Sequence, residues 1–140
     1  HYACKYNQKE IVSYLLKIPT CDINSKTDED LLTAFHFACK YCDIEIIKLL
    51  AERKDLKINE RNINDEPPLL FAIRSKFVEA VSFLINLEGI DLSTPKLMLE
   101  ACYTPEQLME ESTDLINAEL VKILLTKKEI NVLSFTPYPK

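Results

Sequence analysis

The sequence predicts an all-α solenoid of about four helix-turn-helix repeats, joined by short β-hairpins or extended loops. Segments that begin at His1, His36 and Leu70 align without gaps, and their starts lie 35 and 34 residues apart. Each is followed at the same offset by a second apolar cluster, spaced as in a short helix with a broad buried face. One such unit cannot bury its apolar residues alone, so the period predicts that neighbouring units stack into one continuous core.

Each repeat is predicted to contain two helices and a loop. The first helices fall at residues 1–7, 36–42 and 70–76, and the apolar clusters of the second helices at 11–16, 46–51, 80–85 and 120–125. An apolar position follows each cluster, at Ile23, Ile58, Leu92 and Val132. The loops contain Asn, Asp and Pro, which suits a hairpin better than the shorter connections of tetratricopeptide units. We expect one domain over residues 1–140, with repeats near 1–27, 28–61, 62–93 and 94–133.

The fourth repeat departs from this pattern. An extra stretch, residues 103–114, precedes its second cluster, and the run that begins at Thr104 and Pro105 has the form of a helix-capping box. We expect a short additional helix there, carrying Glu106, Glu110 and Glu111. Such insertions often carry the specificity of a repeat protein; the alternative, a solvated variable loop, is the simpler explanation of the stretch.

Both ends of the sequence also bear on the extent of the array. Residues 134–140 either open a further repeat or form an extended linker. The sequence starts within a repeat and without Met, so we expect it to be an excerpt of a longer array.

Composition narrows the class of partner. The net charge of −5 and the pI near 5.1 provide no general attraction to nucleic acid or to anionic lipid. No apolar run approaches the ~18 residues of a membrane span, and no signal peptide is recognisable. The five cysteines form no small-scaffold pattern, which favours free thiols in a reducing compartment. We therefore expect an intracellular protein, cytoplasmic or associated with the cytoskeleton.

No constellation of catalytic or metal-binding residues stands out. Cys39 and Cys42 form a C-x-x-C spacing, but no second pair of ligands accompanies them. Cys39 falls instead in a column with Cys4 and Cys102, where a small apolar residue is expected. Serine-hydrolase, phosphate-loop and zinc-protease motifs are absent, and the single glycine rules out a glycine-rich cradle. We expect no enzyme activity, cofactor or metal.

Short motifs at matching places in the repeats identify a family. The run 33–38, Thr-Ala-Phe-His-Phe-Ala, resembles the Thr-Pro-Leu-His-x-Ala signature of ankyrin repeats, and residues 66–72 form a looser copy. Asn24 and Asn59, each after an isoleucine, resemble the Asn of the family's Val-Asn pair. The resemblance is strong over residues 1–93 and weaker over 94–140.

The chain departs from the family where the first helix ends. The glycine usual at that place is replaced by Asn7, Cys42 and Lys76. Of these, Asn best tolerates the left-handed conformation of such a turn, so we expect either strain or a different turn geometry at Cys42 and Lys76.

The resemblance implies a protein-binding module and suggests where it binds. His1 and His36 occupy the signature histidine, whose imidazole bridges backbone groups of adjacent repeats. The family's concave groove would be lined here by a basic ladder beside two tyrosines and a serine, namely Lys5, Lys40 and Arg74 with Tyr6, Tyr41 and Ser75. Acidic loop fingers, with Asp30, Asp65 and Glu66, would border it. Such a groove suits an acidic protein segment with an apolar or aromatic anchor.

Two functions follow from this resemblance. The first is an interaction module or scaffold, including a subunit of a larger cytoskeletal or ciliary assembly. The alternative is a targeting or regulatory arm of an enzyme whose catalytic domain lies outside this segment. Neither involves nucleic acid or a membrane span, and neither fixes the oligomeric state.

Overall fold

The computed structural model describes residues 1–41, 43–94, 96–97, 101 and 112–127. Three helix pairs follow one another along the chain: α1 (Tyr2–Lys5) with α2 (Lys9–Leu16), α3 (Ala34–Tyr41) with α4 (Ile44–Ala51), and α5 (Pro68–Arg74) with α6 (Val78–Leu84). A longer helix, α7 (Ser112–Leu125), comes last. Over the described residues, extended structure amounts to one antiparallel bridge between Lys26 and Thr33. The predicted all-α repeat fold is confirmed.

The helices form two layers because each packs on its counterpart in the next repeat. α1, α3 and α5 lie side by side in an inner layer, while α2, α4, α6 and α7 form an outer layer in that order. Equivalent apolar positions are buried in successive repeats, such as Val12, Ile47 and Val81 in the outer layer. Leu120 and Leu124 are fully buried in α7, so this helix occupies the place predicted for the fourth apolar cluster.

Burial in the outer layer differs between its edge and its interior. Ile11 and Leu15 of α2 are 51 % and 37 % exposed, whereas their counterparts in α4, Ile46 and Leu50, are buried. The reason is position, since α4 has a packed helix on each side and α2 packs only on α4 among the described outer helices.

The extra stretch in the fourth repeat is described only at its end. Residues 112–114 begin α7, which is 14 residues long, so the second helix of this unit starts earlier than its apolar cluster indicates. Glu106, Glu110 and Glu111 lie outside the described residues, and the helix expected around them stays a prediction.

Two asparagines join the loops of successive repeats. The Asn24 side chain donates to the Asp55 carbonyl at 2.7 Å and accepts from the Lys57 N–H at 2.8 Å. The Asn59 side chain makes the same pair of bonds one repeat further, with the Gly89 carbonyl and the Asp91 N–H. A side-chain amide carries both donors and acceptors, so it satisfies a backbone group of each kind in the neighbouring loop.

The turns that end the first helices adopt the conformation that glycine usually supplies. Asn7 and Lys76 have φ of 54° and 57°, in the left-handed region. After each, the chain closes with a hydrogen bond typical of a helix end, from Gln8 N–H to Ala3 O at 2.8 Å and from Phe77 N–H to Ala72 O at 3.1 Å. Cys42, the third residue at this place, lies outside the described residues.

Replacing Lys76 with glycine should stabilise the chain. A non-glycine residue in the left-handed region costs about 1–2 kcal/mol, and part of that gain is lost because glycine is freer in the unfolded chain. We expect Lys76→Gly to raise the free energy of unfolding in urea by about 1 kcal/mol. Lys76→Ala is the matched control, since it removes the same side chain without relieving φ. Equal stability of the two variants would contradict the explanation.

Candidate functional site

The inner layer presents a row of aromatic side chains on its exposed face. In the first repeat the Tyr2 and Tyr6 rings stack at 6.3 Å with 7° between their planes. In the second, Phe37 and Tyr41 stack at 6.3 Å with 20° between them. Both pairs are four residues apart, the spacing that places two side chains on one face of a helix. We refer to Tyr2, Lys5, Tyr6, Phe37, Lys40 and Tyr41 together as the inner-helix face.

The three tyrosine rings are unusually accessible, whereas Phe37 is half-buried. Tyr2, Tyr6 and Tyr41 are 75 %, 61 % and 45 % exposed, whereas aromatic side chains of this size usually lose most of their surface on folding. Tyr6 and Tyr41 were expected at this place. Tyr2 and Phe37 were not expected there. Each lies four residues before one of these tyrosines, and that spacing could have identified them.

Two lysines accompany the rings. The Lys5 Nζ lies 5.7 Å from the centre of the Tyr6 ring, and the Lys40 Nζ lies 4.8 Å from that of Tyr41. Within the part of the chain that the structure describes, neither lysine has a carboxylate within ion-pair distance. The inner-helix face therefore combines apolar rings with positive charge that these residues leave uncompensated.

The third step of the expected ladder differs from the first two. Arg74 donates from its guanidinium to the Glu66 carboxylate at 2.9 Å, and the hydroxyl of Ser75 donates to the Lys40 carbonyl at 3.3 Å. Both side chains are thus engaged in contacts within the chain. The sequence predicts three equivalent positive charges, but the charge of Arg74 is compensated by Glu66, whereas those of Lys5 and Lys40 have no such partner among the described residues.

Glu66 lies differently from the exposed finger residue that the sequence suggests. Its side chain is buried, with the Arg74 guanidinium and the Asn62 amide donating to its two carboxylate oxygens. Burial alone would raise the pKa of Glu66, but these hydrogen bonds outweigh it and hold the pKa below its usual range. The carboxylate is thus engaged within the second finger and with α5, and its role in binding a partner stays a prediction.

The other acidic finger residues do lie on the surface. Asp30 and Asp65 are exposed, and Asp65 sits at a turn with φ of 60°. The two fingers touch through their backbones, since Ile63 N–H donates to the Asp30 carbonyl at 3.0 Å. Arg61 pairs with Asp65 at 3.5 Å, which compensates part of this negative charge.

His36 lies at the centre of a buried polar contact between repeats. Its Nδ1 is 3.1 Å from the Thr33 backbone nitrogen, and its Nε2 is 3.2 Å from the Glu66 carbonyl oxygen. A backbone N–H only donates, so Nδ1 accepts, and Nε2 carries the proton that is donated to Glu66. The ring is neutral in this arrangement, and burial lowers its pKa.

His1 makes the corresponding contact one repeat earlier. Its Nε2 is 2.8 Å from the Ser25 carbonyl oxygen, and its ring meets Phe37 edge-on at 5.9 Å. His36 meets Phe71 edge-on at 5.3 Å in the same manner. These contacts support the structural role predicted for both histidines, although His1 is exposed where His36 is buried.

The described residues contain no group of three or more His, Cys, Asp or Glu side chains placed to hold a metal ion. Burial raises the pKa of the Cys39 thiol, which keeps it protonated and unreactive. Cys42 and Cys102 lie outside the described residues. Among the helices that the structure describes, none has the length and apolar character to cross a bilayer.

Stacked helix pairs tied together through their loops define a helical repeat protein. A family model that describes three copies of ankyrin repeats matches residues 1–96. The chain therefore belongs to the ankyrin-repeat family, whose repeats are general protein–protein interaction modules and typically non-catalytic. Among curated proteins, none has a significant match to this sequence. The boundaries of the individual repeats, and the fourth repeat in particular, stay predictions.

The buried His36 should make stability depend on pH. Because burial lowers its pKa, the folded chain takes up this proton less readily than the unfolded chain. The contribution of neutral His36 to the free energy of unfolding is complete above the ordinary pKa of 6.5. It is lost as the pH falls from there to the lower pKa of the folded chain. If the unfolded chain binds one proton more than the folded chain, the free energy of unfolding changes by at most about 1.4 kcal/mol per pH unit.

Urea unfolding at a series of pH values measures this slope. His36→Gln keeps a hydrogen-bonding side chain without the titration, so its stability should change less below the ordinary pKa. His1→Gln, the matched control, should retain the slope of the parent chain. An NMR titration of the His36 ring in the unsubstituted chain gives its pKa directly, and an ordinary or raised value would rule this origin out.

Proposed function

We propose that this chain binds a partner protein through its inner-helix face and that the partner contributes an acidic segment with apolar or aromatic anchors. The observation that carries the proposal is the combination of three exposed tyrosines with Lys5 and Lys40 on one surface. Tyrosine buries a large area at low entropic cost and keeps a hydroxyl for hydrogen bonding, which is why it is enriched in interfaces.

Charge favours the acidic segment. The chain carries a net charge of −5, so a basic partner would be attracted to much of its surface and not to one face in particular. The inner-helix face is locally positive against that background because its two lysines have no carboxylate partner among the described residues. Complementary charge of this kind accelerates association and rejects partners of the wrong sign.

The rest of the molecule is consistent with a binding role. Asp30 and Asp65 expose negative charge on the fingers, so a partner that reaches them would meet the opposite sign there. A scaffold subunit and the targeting arm of an enzyme would both use the same face. Cys21 and Cys39 are free thiols, which favours an intracellular location.

Selection from a library of random displayed peptides tests the proposal without knowledge of the partner. Peptides selected on the chain should be enriched in Asp and Glu together with apolar residues. Lys5→Glu with Lys40→Glu should weaken their binding by about tenfold or more, because attraction becomes repulsion and each lost factor of ten is about 1.4 kcal/mol.

The matched control is Lys17→Glu with Lys48→Glu, which makes the same charge change at the ends of α2 and α4 in the outer layer. Helicity and unfolding midpoints of both double variants should stay close to those of the parent chain. Arg74 is left in place because reversing it would remove the cation that pairs with the buried Glu66 carboxylate. Selected peptides that bind both double variants equally would refute the inner-helix face as the site.

A further inference from the structure

We infer that the segment bound by the inner-helix face is a polyproline II helix, with an apolar or proline side chain at every third position and carboxylates between them. This inference rests on the proposed function and adds the conformation and spacing of the partner. It follows from the spacing of the aromatic pairs and from the hydrogen-bonding groups beside them, which have no partner among the described residues.

The spacing comes from the inner layer. α1 and α3 pack directly on each other, and packed helices lie about 8–10 Å apart. Tyr6 and Tyr41 occupy the same place in successive repeats, so their rings recur at about that interval along the stack. A partner that runs along the stack meets one aromatic pair at each step.

Few backbone conformations of a partner place one side chain against each aromatic pair at this interval. A polyproline II helix advances about 9 Å in three residues and returns the same face at every turn. An extended strand presents one face every two residues, or about 7 Å, which falls out of register with the rings. An α-helix returns the same face only at every seventh residue, or about 10.5 Å, and has no backbone donors or acceptors to spare along its length.

The polar groups on the inner-helix face favour the polyproline II form. This conformation makes no internal hydrogen bonds, so its carbonyls are open to donors from another chain. Tyr2, Tyr6 and Tyr41 each carry a phenol hydroxyl on a strongly exposed side chain, and Lys5 and Lys40 add ammonium donors. The face thus offers rings for the side chains of the segment and donors for its backbone.

The third repeat sets the length of the motif. Phe71 is buried there, Ser75 replaces the tyrosine, and the Arg74 guanidinium pairs with Glu66. The aromatic and positively charged surface therefore spans two repeats. The expected motif has two apolar residues three positions apart, each with a neighbouring carboxylate that reaches Lys5 or Lys40.

Three fluorescent peptides of matched length and charge separate the alternatives by fluorescence anisotropy. The first repeats Leu-Pro-Glu. The second has the same composition, with its leucines in alternate positions. The third replaces proline with alanine and spaces its leucines for a helix. We expect the first to bind at least about tenfold more tightly than the others. Its affinity should fall when its glutamates become glutamine and when salt is added.

Variants of the chain locate the binding. Tyr6→Ala with Tyr41→Ala should weaken the first peptide by about tenfold or more, whereas Tyr14→Ala, a control at an exposed tyrosine of the outer layer, should not. Equal or tighter binding of the second or third peptide overturns the polyproline II inference. So does binding of the first peptide that is indifferent to Tyr6 and Tyr41.

The two proposals fail in distinguishable ways. Library-selected acidic peptides that require Lys5 and Lys40 but lack the three-residue spacing, or that bind when the Leu-Pro-Glu peptide does not, uphold the proposed function and overturn this inference. If no selected or designed peptide depends on the inner-helix face, both are overturned.

Discussion

Every repeat in this chain depends on its neighbours to bury the apolar side of its helices. A pair such as α3 and α4 is too short to form a core, and its buried residues are covered by α1, α2, α5 and α6. The contrast between Ile11, half exposed at the edge of the outer layer, and its buried counterpart Ile46 shows how much one neighbour contributes. Stability in such a stack is the sum of short units and the interfaces between them.

Polar side chains set the register of that stacking. Apolar contacts alone would tolerate small shifts between repeats, since burial has no direction. Asn24 and Asn59 each bind one donor and one acceptor in the following loop, and His36 reaches the Glu66 carbonyl of the next repeat. Hydrogen bonds lose strength when their geometry changes, and a buried group left unpaired is costly, so these contacts select one arrangement.

Because the core and the loops hold the repeats together, the exposed side of the inner helices is free to vary. In the first two repeats it carries stacked aromatic pairs with a lysine beside each, and in the third the corresponding positions bind within the chain. Exposed tyrosines contribute little to folding, so their concentration on one surface favours a function outside the fold. The same separation of scaffold from surface allows one architecture to serve many partners.

The sequence by itself determined the class of fold and the order of its elements. A period of 34 or 35 residues places equivalent apolar residues in columns along the stack, whatever the details of packing. It also located the turns at Asn7 and Lys76, and the family resemblance implied the bridging role of His36. Only the tertiary structure decided which charges remain available. Glu66 and Arg74 look exposed in the sequence, yet the tertiary structure brings the Arg74 guanidinium to 2.9 Å from the Glu66 carboxylate. Lys5 and Lys40 occupy equivalent positions without such a partner among the described residues. The local sequence does not predict this difference, because it does not give the distance between a cation and a carboxylate.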